Sequence, residues 1–146
     1  MPSKPNPWAR RRARRALVQA VYQWQMTECD VAELERQFRE DGSLAKADQD
    51  FFSDLLRGVA RDSKAIDEAY VSLLDRSLKD LDQVERAILR LGCVELQRRI
   101  DVPYRVVIAE YVELAKTFGA EGSYKYINGI LDQLAGQHRA LERGDA

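Results

Sequence analysis

Apolar residues recur every three or four positions along most of the chain, which is the spacing of one face of an α-helix. Seven such segments begin near positions 7, 31, 47, 63, 82, 104 and 123. Sustained alternation of apolar and polar residues, which is typical of half-buried strands, is nearly absent. The pattern therefore predicts an all-α fold, a compact bundle of about seven helices packed as one body or as two adjoining sub-bundles.

Local capping signals predict where several of these helices begin. Asn6 followed by Pro7 has the character of an N-cap and a first helical residue, so the first helix is expected to run from Pro7 to about Thr27. Asp82 and Glu85 have the spacing of a capping box at the start of the fifth segment. That segment is apolar over a broad face, which indicates the central helix of the core.

Other signals predict interruptions and ends. Asp62-Ser63 is expected to separate the third helix from the fourth, Gly119 to stop the sixth helix, and Ser123 to cap the seventh. We expect residues 1–146 to form a single domain, with residues 1–6 and 137–146 flexible.

The first helix carries the most unusual charge pattern of the chain. Five arginines fall within six residues, and no acidic residue precedes Glu28; the arginines are Arg10, Arg11, Arg12, Arg14 and Arg15. Positive side chains at a helix N-terminus are locally unfavourable because the helix dipole is positive there. Repeating this unfavourable choice five times suggests an anionic partner.

A helical projection separates the two sides of this first helix. An apolar stripe that should face the core consists of Ala13, Leu17, Ala20, Val21 and Trp24. Arg11, Arg15 and Tyr22 share a flank away from that stripe. Arginines beside an aromatic ring are suited to the backbone and one stacked base of RNA. The alternative is a solvated charged helix end with Tyr22 packed at its rim.

Composition refines this interpretation. With 146 residues, 45% hydrophobic and 32% charged, the chain is expected to fold as one soluble globular domain. The net charge of −1 hides an asymmetry, since residues 1–15 hold six of the 23 basic side chains and no acid. Residues 16–146 therefore carry 17 basic against 24 acidic side chains, a balance of −7. A basic tip on an acidic body favours a local, oriented contact with nucleic acid.

Motifs for catalysis, cofactors, metals and export are missing from the sequence. The start has no apolar signal region, and no apolar run is long enough to span a membrane. Cys29 and Cys93 are isolated and His138 is the only histidine, so neither a disulfide, a metal site nor a Cys–His pair is indicated. We expect a cytoplasmic protein that is not an enzyme and needs no cofactor.

Several sequence blocks are more specific than composition. They are residues 10–14, 18–25, 83–91, 94–96, 101–104 and 125–132. With these blocks the chain resembles the bacterial NusB family of transcription antitermination factors over nearly its whole length. That resemblance implies an RNA-binding helical fold without catalysis. It also implies that the protein pairs with the ribosomal protein NusE and binds boxA RNA of nascent ribosomal RNA transcripts, within an RNA polymerase antitermination complex.

The resemblance also implies site residues. The candidates for RNA contact are Lys4, Arg10, Arg11, Arg14, Tyr22, Phe118, Gly122 and Lys125. Glu85 matches the region used for NusE, although its position in the capping box gives it a structural role as well. The chain departs from the family pattern at Arg15 and Gly122, where an acid is often found, and both changes make the site less negative.

Two partner arrangements remain open from the sequence. In the first, the arginines bind RNA. In the second, the protein is a helical scaffold or a homodimeric adaptor, and the arginines contact an acidic protein surface. Competition between RNA and that protein partner would distinguish the two. The free protein is a candidate homodimer in either case.

Overall fold

The computed structural model describes residues 5–144. Its elements are helices α1 (Pro7–Thr27), α2 (Val31–Glu40), α3 (Gln49–Val71), α4 (Gln83–Arg98), α5 (Tyr104–Phe118), α6 (Ser123–His138) and α7 (Ala140–Arg143), with a short 3-10 helix at Leu78–Asp80. No strand occurs between residues 5 and 144. The predicted all-α class with about seven helices is confirmed. Within the same range no helix is both long and apolar enough to cross a membrane.

Two predicted helix starts are confirmed by their hydrogen bonds. Asn6 Oδ1 accepts from the backbone N–H of Trp8 at 3.0 Å and of Ala9 at 3.2 Å. At the start of α4, the Glu85 N–H donates to Asp82 Oδ1 at 2.7 Å, while the Asp82 N–H donates to the Glu85 carboxylate at 3.2 Å. Both caps satisfy backbone donors that the helix itself leaves without partners.

Helix α4 is the centre of the core, as its broad apolar face predicts. It packs against α1, α3, α5 and α6. Gly92 permits the approach of α6, because a Cβ at that position would lie only 2.6 Å from Leu131 Cδ2. Helix α1 lies against α3 and α4 with its predicted apolar stripe, and Ala13, Leu17 and Val21 are fully buried.

The predicted break near Asp62 is only a kink. Asp62 has φ −114° and ψ 23°, yet the helix continues through it from Gln49 to Val71. Val59 and Ile66, on either side of the kink, are both completely buried, so packing on the same core holds the two halves in one element. The predicted third and fourth helices are therefore the single helix α3. The count in residues 5–144 still reaches seven because the tail contains the short helix α7.

The loop before α6 differs from its predicted capping. Gly122, with φ 82°, occupies the N-cap position, and Ser123 is the first helical residue with its buried Oγ unbonded. The prediction that Ser123 caps the helix is wrong, because Gly122, in a left-handed turn, takes the N-cap position one residue earlier. Gly119 does end α5 as predicted, but with extended backbone, φ −86° and ψ 170°.

Residues 137–144, for which the sequence predicts flexibility, form the end of α6, the short helix α7 and the turn at Gly144. Arg139 is only 4% exposed and forms an ion pair with Glu142 at 2.6 Å. Its guanidinium also donates to four backbone carbonyl oxygens, those of Glu95, Leu96, Arg99 and Val102. These carbonyls lie at the end of α4 and just beyond it, where a helix leaves acceptors unsatisfied. Burial of one arginine therefore orders the tail.

Candidate nucleic-acid interface

The arginines of α1 fall into two groups according to their exposure. Arg14 is 2% exposed, and the Arg10 side chain is 12% exposed. Arg11, Arg12 and Arg15 are exposed. Five arginines within six residues thus have different environments, because successive positions of a helix point in directions about 100° apart.

Arg14 is part of a buried ion pair. Its Nε and Nη2 donate to the two carboxylate oxygens of Glu95 at 2.6 and 3.0 Å, and the Tyr111 hydroxyl donates to Glu95 Oε1 at 2.7 Å. Burial alone would lower the pKa of Arg14, but the hydrogen bonds and charge of Glu95 outweigh burial and raise it. Arg14, a predicted RNA contact, instead joins α1 to α4 and α5 and presents no free face to a phosphate.

Arg10 also contacts the protein. Its Nη1 donates to Asp101 at 3.0 Å, its Nε lies 3.5 Å from Asp48, and its guanidinium lies 4.8 Å from the centre of the Phe51 ring. Hydrogen bonds from Arg99 and then Arg10 lower the pKa of Asp101 to about 2, against a smaller opposing effect of burial. Arg10 is therefore only partly available to a ligand.

The exposed arginines line a groove between α1 and α5 with a volume of about 440 Å³. We call it the basic groove; its residues are Trp8, Arg11, Arg12, Arg15, Glu110, Glu113, Leu114 and Thr117. Arg11 Nε donates to Glu110 at 3.2 Å. Among the described residues, no carboxylate pairs with Arg12 or Arg15. Two guanidinium groups in this groove thus keep their donors free for an anionic ligand.

An apolar groove of about 560 Å³ continues along the same helix. Its residues are Val18, Gln19, Tyr22, Gln23, Met26, Thr27, Val84 and Phe118. Tyr22 is 40% exposed and Met26 is 56% exposed. The Arg15 guanidinium lies 5.4 Å from the centre of the Phe118 ring, so the basic and apolar grooves meet at this contact. Charge and aromatic surface are therefore adjacent, as a single strand of RNA requires.

The remaining predicted RNA residues lie elsewhere. Gly122 is in the exposed turn before α6, where a Cβ added to it would meet no atom within 4 Å. Lys125 lies in a separate groove between α5 and α6 that Tyr104 and Tyr124 also line, and its ammonium is 6.0 Å from the centre of the Tyr124 ring. Lys4 lies outside the described residues. The structure thus groups Arg11, Tyr22 and Phe118 along one face of α1, while Lys125 lines the neighbouring groove.

Glu85, the predicted NusE contact, is 6% exposed. Burial raises the pKa of its carboxyl group, and the carboxylate accepts the Asp82 N–H of the capping box. The adjacent Val84 lines the apolar groove. The surface that a partner could touch at this end of α4 therefore includes Val84, while Glu85 fixes the helix start beneath it.

Sequence reasoning did not identify two features of this site. The first is Arg12, which belongs to the arginine cluster but is not among the predicted RNA contacts, and which lines the basic groove. The second is Glu95, completely buried among apolar residues of α4. Its position between Val94 and Leu96 was the available signal, because an acid inside an apolar segment needs a buried cationic partner.

Among the other chemical groups of residues 5–144, the Cys93 thiol is buried in the core. Burial raises the pKa of the Cys93 thiol to about 12, which leaves it protonated. No group of three or more histidine, cysteine, aspartate or glutamate side chains in residues 5–144 is arranged to hold a metal ion. The exposed chemistry of the site is cationic and aromatic.

Comparisons with known proteins show which family the chain resembles over nearly its whole length. The NusB family model matches residues 11–136. The chain is 52% identical over 145 residues to the transcription antitermination protein NusB of Alcanivorax borkumensis, covering 99% of this chain and 97% of that one. It is 49% identical to the protein of the same name from Yersinia pestis, over 89% of this chain and 94% of that one. The solved structure of T. maritima NusB superposes with a TM-score of 0.80 at 32% identity, covering 99% and 100% of the two chains.

Proposed function

The chain belongs to the NusB family, and we propose that it is a transcription antitermination protein that binds RNA along α1. In this proposal it acts without catalysis, as a heterodimer with the ribosomal protein NusE. The heterodimer binds boxA RNA in nascent ribosomal RNA transcripts and joins the antitermination complex on RNA polymerase.

One observation carries the proposal: guanidinium groups without an acidic partner in residues 5–144 lie in the same groove system as the half-buried Phe118 ring and the exposed Tyr22 ring. Arg12 and Arg15 have no carboxylate partner among the described residues, and Arg15 stacks on Phe118 where the two grooves meet. Guanidinium groups bind phosphate oxygens with charge-assisted hydrogen bonds. Aromatic rings bind unpaired bases by stacking. Both parts of a single-stranded nucleic acid therefore find a complementary surface within one groove system.

The burial of each side chain assigns it a role in this proposal. Arg11, Arg12 and Arg15 bind phosphates, and Tyr22 and Phe118 stack on bases. Buried Arg14 holds α1 on α4 and α5 through Glu95, so it positions the groove without touching RNA. Arg10 orients the helix end through Asp101. Gly122 and Lys125 are candidates for a longer RNA that passes over the start of α6.

NusE is proposed to dock at the other end of the apolar groove. Val84 lies at the start of α4, beside Glu85, and shares that groove with the exposed Met26. An apolar strip with an exposed methionine suits a protein surface better than a phosphate backbone. NusE at this end would leave the arginines open and would bring its own surface beside the RNA.

The test is RNA binding measured by fluorescence anisotropy at fixed salt. A boxA RNA and a scrambled RNA of equal length are each titrated with the protein alone, with NusE alone and with both. We expect the mixture to bind boxA RNA at least about tenfold more tightly than the scrambled RNA, since each wrong base costs discrimination. Equal weak binding of both RNAs in every mixture would contradict the proposal and favour the protein scaffold.

A further inference from the structure

Trp8 is an exposed aromatic residue that none of the roles above explains. Its side chain lies in the first turn of α1, and the residue is 68% exposed. The other tryptophan, Trp24, is half-buried and packs against the core. Because most of the indole is exposed to water in this position, it buries little apolar area. Its packing therefore contributes little to the free energy of folding.

The surroundings of Trp8 are cationic. It lines the basic groove with Arg11, Arg12 and Arg15, and the Arg11 guanidinium lies 5.6 Å from the centre of its ring. Its backbone is held in place, because its N–H donates to the Asn6 side chain at 3.0 Å. The indole is thus mounted on an ordered helical turn, next to groups that attract phosphates, with most of its surface free.

Trp8 is also in register with the other aromatic contacts of α1. Trp8, Arg15 and Tyr22 are spaced by seven residues, so they lie on nearly the same side of the helix, and each step is about 10 Å along its axis. Arg15 contacts the Phe118 ring at the middle step. Aromatic rings therefore occur at both ends and at the middle of a line of about 21 Å, with arginines between them.

We propose that Trp8 is a nucleobase-stacking residue that extends the RNA site to the N-terminal end of α1. One unpaired base of the bound RNA stacks on the indole while the neighbouring phosphates contact Arg11 and Arg12. This inference rests on the proposed RNA-binding function. It adds a contact that the free face of Trp8 and its neighbouring arginines support, at a position outside the predicted RNA residues.

The first experiment combines a protein change with an RNA change. Wild-type protein and Trp8→Ala, each with NusE, are titrated with boxA RNA and with a series of the same RNA carrying one abasic nucleotide. Trp8→Ala is expected to weaken binding of intact RNA about tenfold, the usual effect of losing one stacked base. At one abasic position the affinity of the wild type should fall by a similar factor. The affinity of Trp8→Ala should fall almost no further there, because the two changes remove the same contact.

Folding is controlled within the same series. Alanine has a higher helix propensity than tryptophan, so Trp8→Ala should leave α1 intact, as measured by circular dichroism and thermal unfolding. Trp8→Phe retains an aromatic ring and should restore most of the affinity. Ile100→Ala removes another exposed apolar side chain, 79% exposed and outside both grooves, and should bind RNA as the wild type does.

Fluorescence gives a second readout. In Trp24→Phe, Trp8 is the only tryptophan, and stacking should quench its emission when boxA RNA is added. Quenching together with the abasic result would establish the contact. If Trp8→Ala binds RNA as tightly as the wild type, this inference is overturned while the proposed function stands. If the wild type with NusE binds no RNA, both are overturned.

Discussion

Two arginine-rich regions of the molecule have opposite organisation. The basic groove between α1 and α5 presents Arg11, Arg12 and Arg15 in about 440 Å³. A second cavity, between α2, α3 and α4, has about 590 Å³ and is lined by four arginines, namely Arg39, Arg57, Arg61 and Arg98. We call this second cavity the arginine cleft. It is larger and has more arginines, yet its guanidinium groups are held by acids.

Two acids, Glu35 and Asp62, each pair with two arginines of the arginine cleft. Glu35 accepts hydrogen bonds from Arg57 Nε at 2.7 Å and from Arg57 Nη2 at 2.8 Å, and its carboxylate lies 3.9 Å from the Arg39 guanidinium. Asp62 contacts Arg61 at 3.0 Å and Arg98 at 2.9 Å. A phosphate entering this cleft would have to compete with these carboxylates for the same donors.

The difference shows that the number of arginines does not identify an anion site. In the proposed function the free donors mark the anion site, and Arg12 and Arg15 have no acidic partner among residues 5–144. Arg14 is the opposite case, because its guanidinium is paired with Glu95, which is completely buried.

Glu95→Ala should cause the largest change. It leaves Arg14 as a buried charge without its partner, and the loss of one member of a buried pair typically costs about 3–5 kcal/mol. The free energy of unfolding in urea measures the effect. Glu113→Ala breaks the exposed pair with Lys116 and should cost less than about 0.5 kcal/mol. A loss below about 1 kcal/mol for Glu95→Ala would show that Arg14 is not held as described.

The double variant Arg12→Gln/Arg15→Gln should weaken boxA RNA binding by about tenfold or more, with unchanged stability. Two lost phosphate contacts should also reduce the slope of log K against log salt by about 1.4, since each contact with a single strand contributes about 0.7. The matched control is Arg39→Gln/Arg61→Gln in the arginine cleft, which removes the same charge and leaves Glu35 paired with Arg57 and Asp62 paired with Arg98. If both double variants lose the same affinity, net charge rather than free donors governs binding.

Asp101→Asn tests Arg10, whose exposure lies between that of buried Arg14 and that of the exposed arginines. The pKa of Asp101 is lowered to about 2, chiefly by Arg99 and then by Arg10. The ionised Asp101 carboxylate therefore contributes its full share to the free energy of unfolding above its unfolded pKa of about 4. That contribution is lost as pH falls towards 2. The Asp101 side chain is 45% exposed, so we expect a loss of about 1 kcal/mol at pH 6. Urea unfolding should show this difference shrinking towards pH 3; a constant difference would contradict the pairing.

Glu110→Gln should have the smallest effect and the opposite sign. It removes the acid that pairs with Arg11 at 3.2 Å and makes Arg11 resemble Arg12. RNA binding should strengthen about two- to threefold because a partly exposed pair contributes less than about 1 kcal/mol. Anisotropy measures the change, and Glu33→Gln, which affects the exposed Arg36 on α2, is the control. Weaker binding would show that Glu110 orients Arg11 usefully.

Most of the helices and their starts could be predicted from local sequence patterns. Asn6 and the Asp82–Glu85 box are correct because capping depends on hydrogen bonds between residues two or three positions apart. The apolar stripe of α1 is correct because burial follows the helical period. The arginine cluster likewise marked α1 as the candidate RNA-binding helix, and its contact with RNA stays a prediction.

Which arginines are free depends on contacts between residues that are far apart in the sequence. Arg14 and Glu95 are 81 residues apart, and Arg139 reaches carbonyl groups about 40 residues upstream. Phe118 meets Arg15 only because α5 folds back beside α1. The periodicity of one helix can say which way a side chain points but not which acid or ring it meets there. That choice depends on long-range packing, and here it separates the arginines that hold the fold from those left open to a ligand.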